Sequence, residues 1–488
     1  MSSSWAPLAH TMGLLSGLFS LEDTPATTEP DFREGEPIKC VEELRRIIER
    51  AESEGVESEA LDDIKSRLEE LEQEAQKELT ITICHAVSGE AVAVVRARPT
   101  DKVVAVLREG VLRETGDALV ALRFVVDLQV LNENETFEEV GIKDGDRVLV
   151  VRSPLRCLTA AFDGTCRVCS LSDGFSRDEA IVAVESGPVL SASLSPCGGH
   201  VLAVCSGGDG CVRDSYTGDL EFHLSGWAAS AEWSPDGRRI VGASDTGAAR
   251  IWCASTGRCL QVLSGHSDDV KSASFSPDGS MIVTASADGT AALWEAESGR
   301  LVVRLSGHSD IVRSAAFSPD GAWVLTSSMD ATARVWSSSS GLCARVLTGH
   351  SKALSGAQFS PDGLRALTAS FDGTVRVWDT QKGECLQMLP AENNVVNAAS
   401  FSPDGSSVLV ASASESLRLF CADTGECRFT LSGHEDWVRV AAFSPDGMLV
   451  ASGSYDGTAR IWSALDGQCI QMLEGHEGAV VTAAISAC

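Results

Sequence analysis

Positive charge is scarce in this sequence. Its 488 residues contain 39 lysines and arginines against 69 aspartates and glutamates, which gives a formal net charge of −30 at pH 7. Nucleic-acid phosphates are bound by clustered basic residues, so direct binding to DNA or RNA is not expected. Long apolar runs are lacking as well, since no stretch approaches the ~20 residues that a membrane-spanning helix needs. We therefore expect proteins or peptides as partners, and neither nucleic acid nor a membrane.

Clustered metal ligands and cofactor motifs are also lacking. The 16 cysteines are not spaced as a metal site requires. Cys166 and Cys169 form a CxxC pair on a predicted strand, where an offset of three sends the side chains to opposite faces. No phosphate-binding loop occurs. We predict no metal and no cofactor, and a reduced, intracellular protein of the cytoplasm or the nucleus. The apolar stretch 12–21 lacks the basic start of a secretory signal.

The first 77 residues fall into two segments. Residues 1–36 are rich in Ser, Thr, Pro and acidic residues, which predicts a disordered tail; whether it docks on a partner stays open. Residues 37–77 carry apolar residues at three- and four-residue steps, which predicts a short helical segment interrupted at Gly55. Residues 38–76 are too short for a strong coiled coil and compatible only with weak self-association.

Residues 78–152 carry strand patterns around one helix. The pattern predicts strands near 79–83, 91–95, 122–126 and 148–151, with a helix between the second and the third. Residues 136–150, including the Asp144-Gly145 turn, resemble the C-terminal third of ubiquitin-like domains.

This resemblance implies a β-grasp α+β domain with a recognition surface. The family's apolar binding patch would be centred on Val125 and Val151, although both could equally be ordinary strand valines. Conjugation is excluded, because the last strand continues into Arg152-Ser153-Pro154 rather than ending in Gly-Gly.

Residues 153–488 repeat with a period of 42. The repeat includes a Gly-His pair and a Trp, and its most regular part is a Ser-Pro-Asp-Gly turn that begins at Ser234, Ser276, Ser318, Ser360, Ser402 and Ser444. Such units are typical of four-stranded β-propeller blades, and the pattern resembles the WD-repeat family. The predicted fold is mainly β: an eight-bladed propeller preceded by the ubiquitin-like domain and the helical segment.

A C-terminal strand is predicted to close this propeller. Residues 153–165 resemble 360–374, so the repeats open at a second strand. Residues 479–486 match the first strand of every unit. We expect them to pair with 157–161, which would bring His476 to Thr159 and Asp163, with Cys169 in place of the Trp.

The family resemblance implies a hydrogen-bonded set of His, Ser or Thr, Asp and Trp inside each blade. The matching sets are His266, Thr284, Asp288, Trp294; His308, Thr326, Asp330, Trp336; His350, Thr368, Asp372, Trp378; and His434, Ser452, Asp456, Trp462. A hydrolase needs one such constellation, whereas this one recurs in four blades. We predict no catalytic residues and no enzymatic activity. Two blades lack part of the set, with Gly242 and Ser414 as replacements.

The family's usual docking face is formed by the loops between blades and the first strands. Residues at the matching positions are the aromatic, Met and basic side chains that interface centres favour: Lys271, Arg313, Met329, Phe371, Trp437, Arg439 and Tyr455. We interpret the protein as an intracellular interaction scaffold whose propeller binds a protein or peptide and whose ubiquitin-like domain binds a second partner.

Two other functions stay open. One is a substrate-recognition adaptor in ubiquitin ligation or proteasome delivery. The other is a ribosome-assembly factor resembling the Notchless type, which also places a β-grasp domain before an eight-bladed propeller. The acidic composition disfavours direct contact with ribosomal RNA. The sequence does not identify the ligand, the pathway or the oligomeric state.

Overall fold

A computed structural model describes Lys65 and most of residues 79–487. The ranges outside it are 86–90, 100, 116–119, 127–128, 132–135, 172–176, 184–186, 209, 225, 227–229 and 392–394. The predicted tail 1–36 and, apart from the helical Lys65, the predicted helical segment 37–77 lie outside the described residues. Two compact units result: Met1–Asp117 with Leu122–Val151, the front unit, and Ala118–Ala121 with Arg152–Cys488, the repeat unit.

The front unit contains one mixed sheet and two helices. Its elements are β1 (Leu79–His85), β2 (Ala91–Ala97), α1 (Val103–Thr115), β3 (Val120–Val126), β4 (Gln129–Val130), α2 (Phe137–Val140) and the start of β5 (Arg147–Ala161). The sheet order is β2-β1-β5-β3-β4, with β1 antiparallel to β2 and parallel to β5. The four predicted strands and the helix are therefore present, and β4 and α2 are additional.

The core of the front unit follows from the alternation along its strands. Ile81, Ile83, Val148 and Phe124 are buried, as a half-buried sheet requires. Helix α1 approaches the sheet at Gly110, where a Cβ would collide with Val95 Cγ1.

A capping box begins the short helix α2. Thr136 Oγ1 accepts a hydrogen bond from the Glu139 amide, and the Glu139 carboxylate accepts one from the Thr136 amide. The sequence Thr-x-x-Glu carries this signal, although four residues are too few for a periodic pattern.

The described part of the repeat unit contains seven separate four-stranded antiparallel sheets. Their strands are β8 (Val189–Leu194), β9 (His200–Cys205), β10 (Gly210–Asp214), β11 (Leu220–His223); β12 (Ser230–Trp233), β13 (Arg239–Ala243), β14 (Ala248–Cys253), β15 (Cys259–Ser264); β16 (Val270–Phe275), β17 (Met281–Ser286), β18 (Thr290–Glu295), β19 (Leu301–Ser306); β20 (Val312–Phe317), β21 (Trp323–Ser328), β22 (Ala333–Ser337), β23 (Cys343–Leu347); β24 (Leu354–Phe359), β25 (Arg365–Ser370), β26 (Thr374–Asp379), β27 (Cys385–Pro390); β28 (Val396–Phe401), β29 (Ser407–Ser412), β30 (Ser416–Cys421), β31 (Cys427–Ser432); and β32 (Val438–Phe443), β33 (Leu449–Ser454), β34 (Ala459–Ser463), β35 (Cys469–Leu473).

A further group of four strands joins the two ends of the repeat unit. The C-terminal strand β36 (Val480–Ala487) pairs antiparallel with residues 155–161 of β5, which also pair with β6 (Thr165–Ser170), and β6 pairs with β7 (Arg177–Ala183). The pairing of β36 with this segment is the one that the sequence predicts. Strand β5 runs unbroken from Arg147 to Ala161, so the domain boundary predicted at 152/153 falls inside a strand.

Neighbouring sheets of the repeat unit share their apolar cores. Val283 and Leu293 of one sheet pack in the same cluster as Val324 and Trp336 of the next. Second strands are accordingly buried along nearly their whole length, because both of their faces are covered. Within the described residues, no helix has the length and apolarity needed to cross a membrane.

Candidate functional site

Each of the four predicted His–Thr/Ser–Asp–Trp sets is joined by hydrogen bonds. In one of them, His308 Nδ1 lies 2.8 Å from Asp330 Oδ2, and His308 Nε2 lies 2.8 Å from Thr326 Oγ1. Trp336 Nε1 donates to the same hydroxyl oxygen at 2.8 Å. The other three sets have the same bonds. Four buried polar groups thus satisfy one another in each sheet.

The protonation states of these sets follow from their environment. Burial lowers the pKa of His308, and this effect outweighs the opposite effect of the Asp330 carboxylate. Burial alone would raise the pKa of Asp330, but hydrogen bonds from Thr332 and His308 hold it at about 2. The histidine is therefore neutral beside a charged aspartate, with Nδ1–H donating to the carboxylate and Nε2 accepting from the Thr326 hydroxyl.

The composite sheet has a partial set. His476 Nε2 lies 2.9 Å from Thr159 Oγ1, and His476 Nδ1 lies 3.1 Å from Asp163 Oδ2. Cys169 stands opposite Cys157 in the register that Trp294 and Ile282 have in a complete sheet. These residues lie where the repeat pattern places them.

The two incomplete blades differ from the complete ones as follows. The ring of Trp252 packs against Gly242 so closely that a Cβ at position 242 would lie 2.8 Å from it. Ser414 Oγ lies 2.9 Å from Ser412 Oγ and donates to the Ser416 carbonyl at 3.0 Å, so it replaces the aspartate without a histidine partner.

Three of the predicted docking residues form one cluster. The indole of Trp437 is 55% exposed and packs edge-on against Tyr455, 40% exposed, with 6.4 Å between ring centroids. Arg439 Nη1 donates to Tyr455 Oη at 2.8 Å. The Arg439 guanidinium also lies 5.2 Å from the ring centroid of Phe162 in the neighbouring composite sheet. We call Trp437, Arg439, Tyr455 and Phe162 the Trp437 cluster.

The remaining predicted docking residues lie apart from that cluster. Arg313 stacks on Phe371 of the next sheet at 5.8 Å, and Lys271 pairs with Asp269 at 2.9 Å. Exposure was expected at all seven positions, but Met329, Phe371 and Arg439 are half-buried. Phe371 is half-buried because the Arg313 guanidinium of the preceding sheet covers its ring. Arg439 is half-buried because its guanidinium lies over the Phe162 ring of the next sheet.

Phe162 was missed by the sequence interpretation. It precedes Asp163 as Tyr455 precedes Asp456 and Phe371 precedes Asp372. Met329, Phe371 and Tyr455 were predicted because each precedes the Asp of a tight turn. Phe162 occupies the same position once residues 153–165 are aligned with the complete units.

A pocket of about 390 Å³ adjoins the Trp437 cluster. It is lined by Trp437 and by residues of the neighbouring turn and strand ends: Ser414, Glu415, Ser416, Ser432, Gly433 and His434. The pocket lies where Ser414-Glu415-Ser416 replaces the Asp-Gly-Thr of a complete unit. An exposed indole beside a pocket offers an anchor point for a ligand side chain.

Val125 and Val151, the predicted patch of the front unit, lie on strands β3 and β5. Val125 is half-buried on β3, opposite Val130 of β4. Val151 lies on β5, but its side chain is outside what the structure describes. Leu149, two residues earlier on β5, is exposed. The period of two along a strand would have selected Leu149 together with Val151.

No cluster of three or more His, Cys, Asp or Glu side chains suited to a metal ion occurs among the described residues.

Comparison with known families agrees with the repeat geometry. Residues 383–421 and 425–463 each match the family described as WD domain, G-beta repeat. The chain contains WD40 repeats. Residues 227–399 match the family described as IFT122 first beta-propeller. No curated protein matches the sequence. WD40 propellers generally bind other proteins, so these repeats indicate an interaction scaffold.

Proposed function

We propose that this protein is a non-enzymatic, intracellular WD40 scaffold with two recognition modules. The repeat unit would be an eight-bladed propeller that binds a protein or peptide through the Trp437 cluster. The front unit would be a ubiquitin-like domain that binds a second protein partner.

The Trp437 cluster is the observation that carries this proposal. Interface centres favour Trp, Tyr and Arg; the cluster contains all three, and its Trp437 lines the neighbouring pocket. Arg439 donates a hydrogen bond to Tyr455 and lies over the rings of Phe162 and Tyr455, contacts that would hold Arg439 and Tyr455 in place before a ligand arrives. Little conformational entropy would then be lost on binding.

The eight-bladed architecture is supported by strand pairing. Seven four-stranded sheets and the composite sheet of β36, β5, β6 and β7 make eight sets of four strands in the described residues. Pairing the first and last strands of the repeat unit in one sheet protects strand edges that would otherwise be open.

The ubiquitin-like assignment is supported by the sheet order β2-β1-β5-β3-β4. The parallel pair β1/β5 at its centre and the helix α1 after β2 are the arrangement expected of a β-grasp domain. Its proposed partner surface includes Val125 and Leu149, which lie on neighbouring strands of this sheet.

The propeller module can be tested by comparative purification of proteins captured by the 488-residue chain. We expect the triple variant Trp437→Ala, Arg439→Ala, Tyr455→Ala to lose a subset of the captured proteins at least ~10-fold in quantitative mass spectrometry. The matched control is Leu342→Ala, which truncates a side chain 71% exposed away from the cluster. Equal capture by the triple variant and wild type, with native near-UV circular dichroism in both, would refute this site.

The identity of the captured subset also separates the alternatives. Proteasome or cullin subunits would favour the adaptor, and pre-60S particles would favour the assembly factor. For the front unit, Val125→Asp and Leu149→Asp should each abolish capture of the same proteins, and this subset should differ from the one that the propeller variant loses. Val94→Asp is the control, because Val94 is exposed on the edge strand β2. Retained binding by both variants in a folded front unit would contradict the proposed patch.

A further inference from the structure

Three junctions between neighbouring sheets share one contact. An arginine at the start of the second strand donates to the carbonyl of the turn glycine in the next sheet. The pairs are Arg156 with Gly198 at 3.3 Å, Arg239 with Gly279 at 2.7 Å, and Arg365 with Gly405 at 2.7 Å. Each guanidinium also lies over an aromatic ring of the next sheet, namely Tyr216, Phe275 and Phe401. This end of the blades is therefore suited to hold a guanidinium group.

Trp323 takes the arginine's place at a fourth junction. It begins β21, five residues after Ser318, as Arg365 begins β25 five residues after Ser360. The carbonyl of Gly363 in the next sheet accepts a hydrogen bond from Thr380 Oγ1 at 3.1 Å. The matching carbonyl of Gly198 accepts two, from Ser215 and from Arg156. The Gly363 oxygen can therefore accept one more donor.

A pocket of about 350 Å³ opens at this junction. Its walls come from two sheets: Asp320, Trp323, Val335, Ala344, Arg345, Asp362, Gly363, Leu364, Thr380 and Gln381. The indole of Trp323 is 39% exposed. We call this the Trp323 pocket.

The carboxylates of the Trp323 pocket have spare acceptor capacity. In other turns, Asp278 and Asp404 accept a serine hydroxyl through Oδ2, from Ser280 and Ser406. Ala322 and Leu364 replace these serines here, and no described residue donates to Oδ2 of Asp320 or Asp362.

The charges lining the pocket favour a cation. Hydrogen bonding from Ser318 lowers the pKa of Asp320. Burial alone would raise the pKa of Asp362, but hydrogen bonds from Ser360 and Leu364 and the charge of Arg365 lower it. Both aspartates are therefore ionised at neutral pH. Arg345 is the one cation in the lining, and its Nε and Nη1 already donate to the carbonyls of Gln381 and Ala344 at 2.6 and 2.7 Å.

We propose that the Trp323 pocket binds an arginine side chain from a basic segment of a partner protein. The guanidinium would donate to the Gly363 carbonyl and to the two carboxylates, and its aliphatic stem would lie on Trp323 and Leu364. Arginine fits better than lysine because its planar fork can satisfy several acceptors at once and stack on an indole. The net charge of −30 would attract a basic segment.

This site is separate from the Trp437 cluster. Trp323 stands at the start of a second strand, whereas Tyr455 follows the end of one, so the two sites lie at opposite ends of the blades. A six-residue strand separates these ends by ~20 Å. The inference does not depend on the proposed ligand of the Trp437 cluster.

The test uses a short Gly-Ser peptide with one central arginine, together with versions that carry citrulline, lysine or leucine there. Binding to the full chain is followed by ligand-observed NMR. We expect the arginine peptide to bind, the lysine peptide to bind more weakly, and the citrulline and leucine peptides to lose at least ~10-fold in affinity. Equal binding of the citrulline or leucine peptide would overturn the proposal, as would no binding of the arginine peptide at ~10 mM.

Two variants locate the binding. Trp323→Arg supplies the chain's own guanidinium, as in the three other junctions, and should lose at least ~10-fold in affinity for the peptide. Asp320→Asn with Asp362→Asn keeps the Oδ1 acceptors of both turns and should lose a similar factor. Trp437→Ala is the control and should bind as wild type does. Unchanged affinity in either pocket variant, with native circular dichroism, would place the peptide elsewhere.

Discussion

Arg304 lies directly across from Ala292 in the antiparallel pair of β18 and β19. Its guanidinium donates to the Gly265 carbonyl at 2.6 Å and to Thr290 Oγ1 at 3.2 Å, and it lies 3.6 Å from Asp288 Oδ2. Other sheets have an arginine on the third strand, at the position of Ala292: Arg250, Arg334, Arg376, Arg418 and Arg460. The guanidinium groups of Arg334, Arg376 and Arg460 lie against the glycines of the Gly-His pairs, namely Gly307, Gly349 and Gly433. The fourth strand thus supplies the cation that the third strand lacks.

Because Arg304 lies across from Ala292, an arginine at position 292 should compensate for the loss of Arg304. Arg304→Val should lower the free energy of unfolding by ~1–2 kcal/mol, because the Gly265 carbonyl and Thr290 lose a charged donor. Adding Ala292→Arg should restore most of this loss, since it reproduces Arg334 opposite Val346. Urea denaturation of the three proteins measures the effect. A double variant no more stable than Arg304→Val would show that the two positions are not equivalent.

Ala331 is strained in its turn. Its φ is 65°, and it is the sole non-glycine with a positive φ among the described residues. The matching residues Gly289 and Gly373 have φ values of 80° and 83°. A left-handed conformation costs an L-residue ~1–2 kcal/mol, part of which is offset by the greater entropy that glycine has in the unfolded chain.

Ala331→Gly should therefore raise the free energy of unfolding by ~0.5–1 kcal/mol. The converse change Gly373→Ala, in the equivalent turn, should lower it by a similar amount. The midpoints of urea denaturation provide the comparison. A lower midpoint for Ala331→Gly would mean that contacts of the Ala331 methyl group outweigh the backbone strain.

Acid should weaken the four buried hydrogen-bonded sets. Burial lowers the pKa of His266, His308, His350 and His434 below 6.5. The unfolded chain then binds more protons than the folded chain once the pH falls below 6.5, so stability is fully present above that pH and declines below it. The aspartates should lower the stability further as the pH falls below 3.8, because the pKa of Asp288 in the folded chain is about 2 against an ordinary value of 3.8.

The measurement is the urea midpoint of the repeat unit in the full chain at several pH values from ~8 to ~5. We expect a plateau above pH ~6.5 and a fall below it. His308→Gln is the matched variant: it removes one of the four histidines, so the slope below pH ~6.5 should be shallower. A flat profile between pH ~7 and ~5 would mean that these histidines do not titrate differently in the folded and unfolded chains.

Much of the repeat unit could be predicted because its period fixes equivalent positions. The 42-residue spacing places His308, Thr326, Asp330 and Trp336 at equivalent positions, and the resemblance to WD repeats implies that they are joined by hydrogen bonds. The repeat period also predicts the pairing of β36, because residues 479–486 carry the first-strand pattern.

Contacts between sheets could not be predicted in the same way. The spacing assigns Arg439 and Tyr455 to one end of a blade, but the distance of Arg439 from Phe162 depends on how neighbouring sheets pack. The same holds for the Trp323 pocket, which takes its lining from two sheets. Arg304 shows the further limit that a side chain can be supplied by a different strand from the one that the repeat indicates.

Cys421 should be an unusually reactive thiol. It stands where Asp379 of the previous unit accepts hydrogen bonds from the amides of Gln381 and Lys382. Hydrogen bonds from the Thr424 side chain and amide lower the pKa of Cys421 to about 7. A larger share of thiolate at neutral pH should speed alkylation.

Iodoacetamide labelling followed by peptide mass spectrometry measures this rate. We expect the alkylation rate of Cys421 to rise with pH, with a midpoint near pH 7. At neutral pH the rate should be lower in Thr424→Val, which removes the hydrogen bond from the Thr424 side chain. Cys385 is the internal control, because it is exposed and lies outside such a turn. Equal rates at Cys421 and Cys385 at neutral pH would contradict the proposed thiolate.

The last prediction concerns strand β36. Deleting residues 479–488 removes Val480, Ala483 and Ile485 from the core cluster that they share with Leu155 and Leu449. Burial of each large aliphatic side chain contributes ~1.5–3 kcal/mol, and the deletion also leaves residues 155–161 as an open strand edge. We expect a lower melting temperature and concentration-dependent aggregation, followed by scanning calorimetry and light scattering.

Two controls separate the loss of the strand from the loss of the chain end. A protein ending at Ala487 keeps all of β36 and should behave as the full chain does. A synthetic peptide of residues 479–488, added to the truncated protein, should raise its melting temperature in proportion to the logarithm of peptide concentration, because the peptide binds only the folded state. An unchanged melting temperature after truncation would show that β36 does not stabilise the composite sheet, and the closure proposed for the propeller would then be wrong.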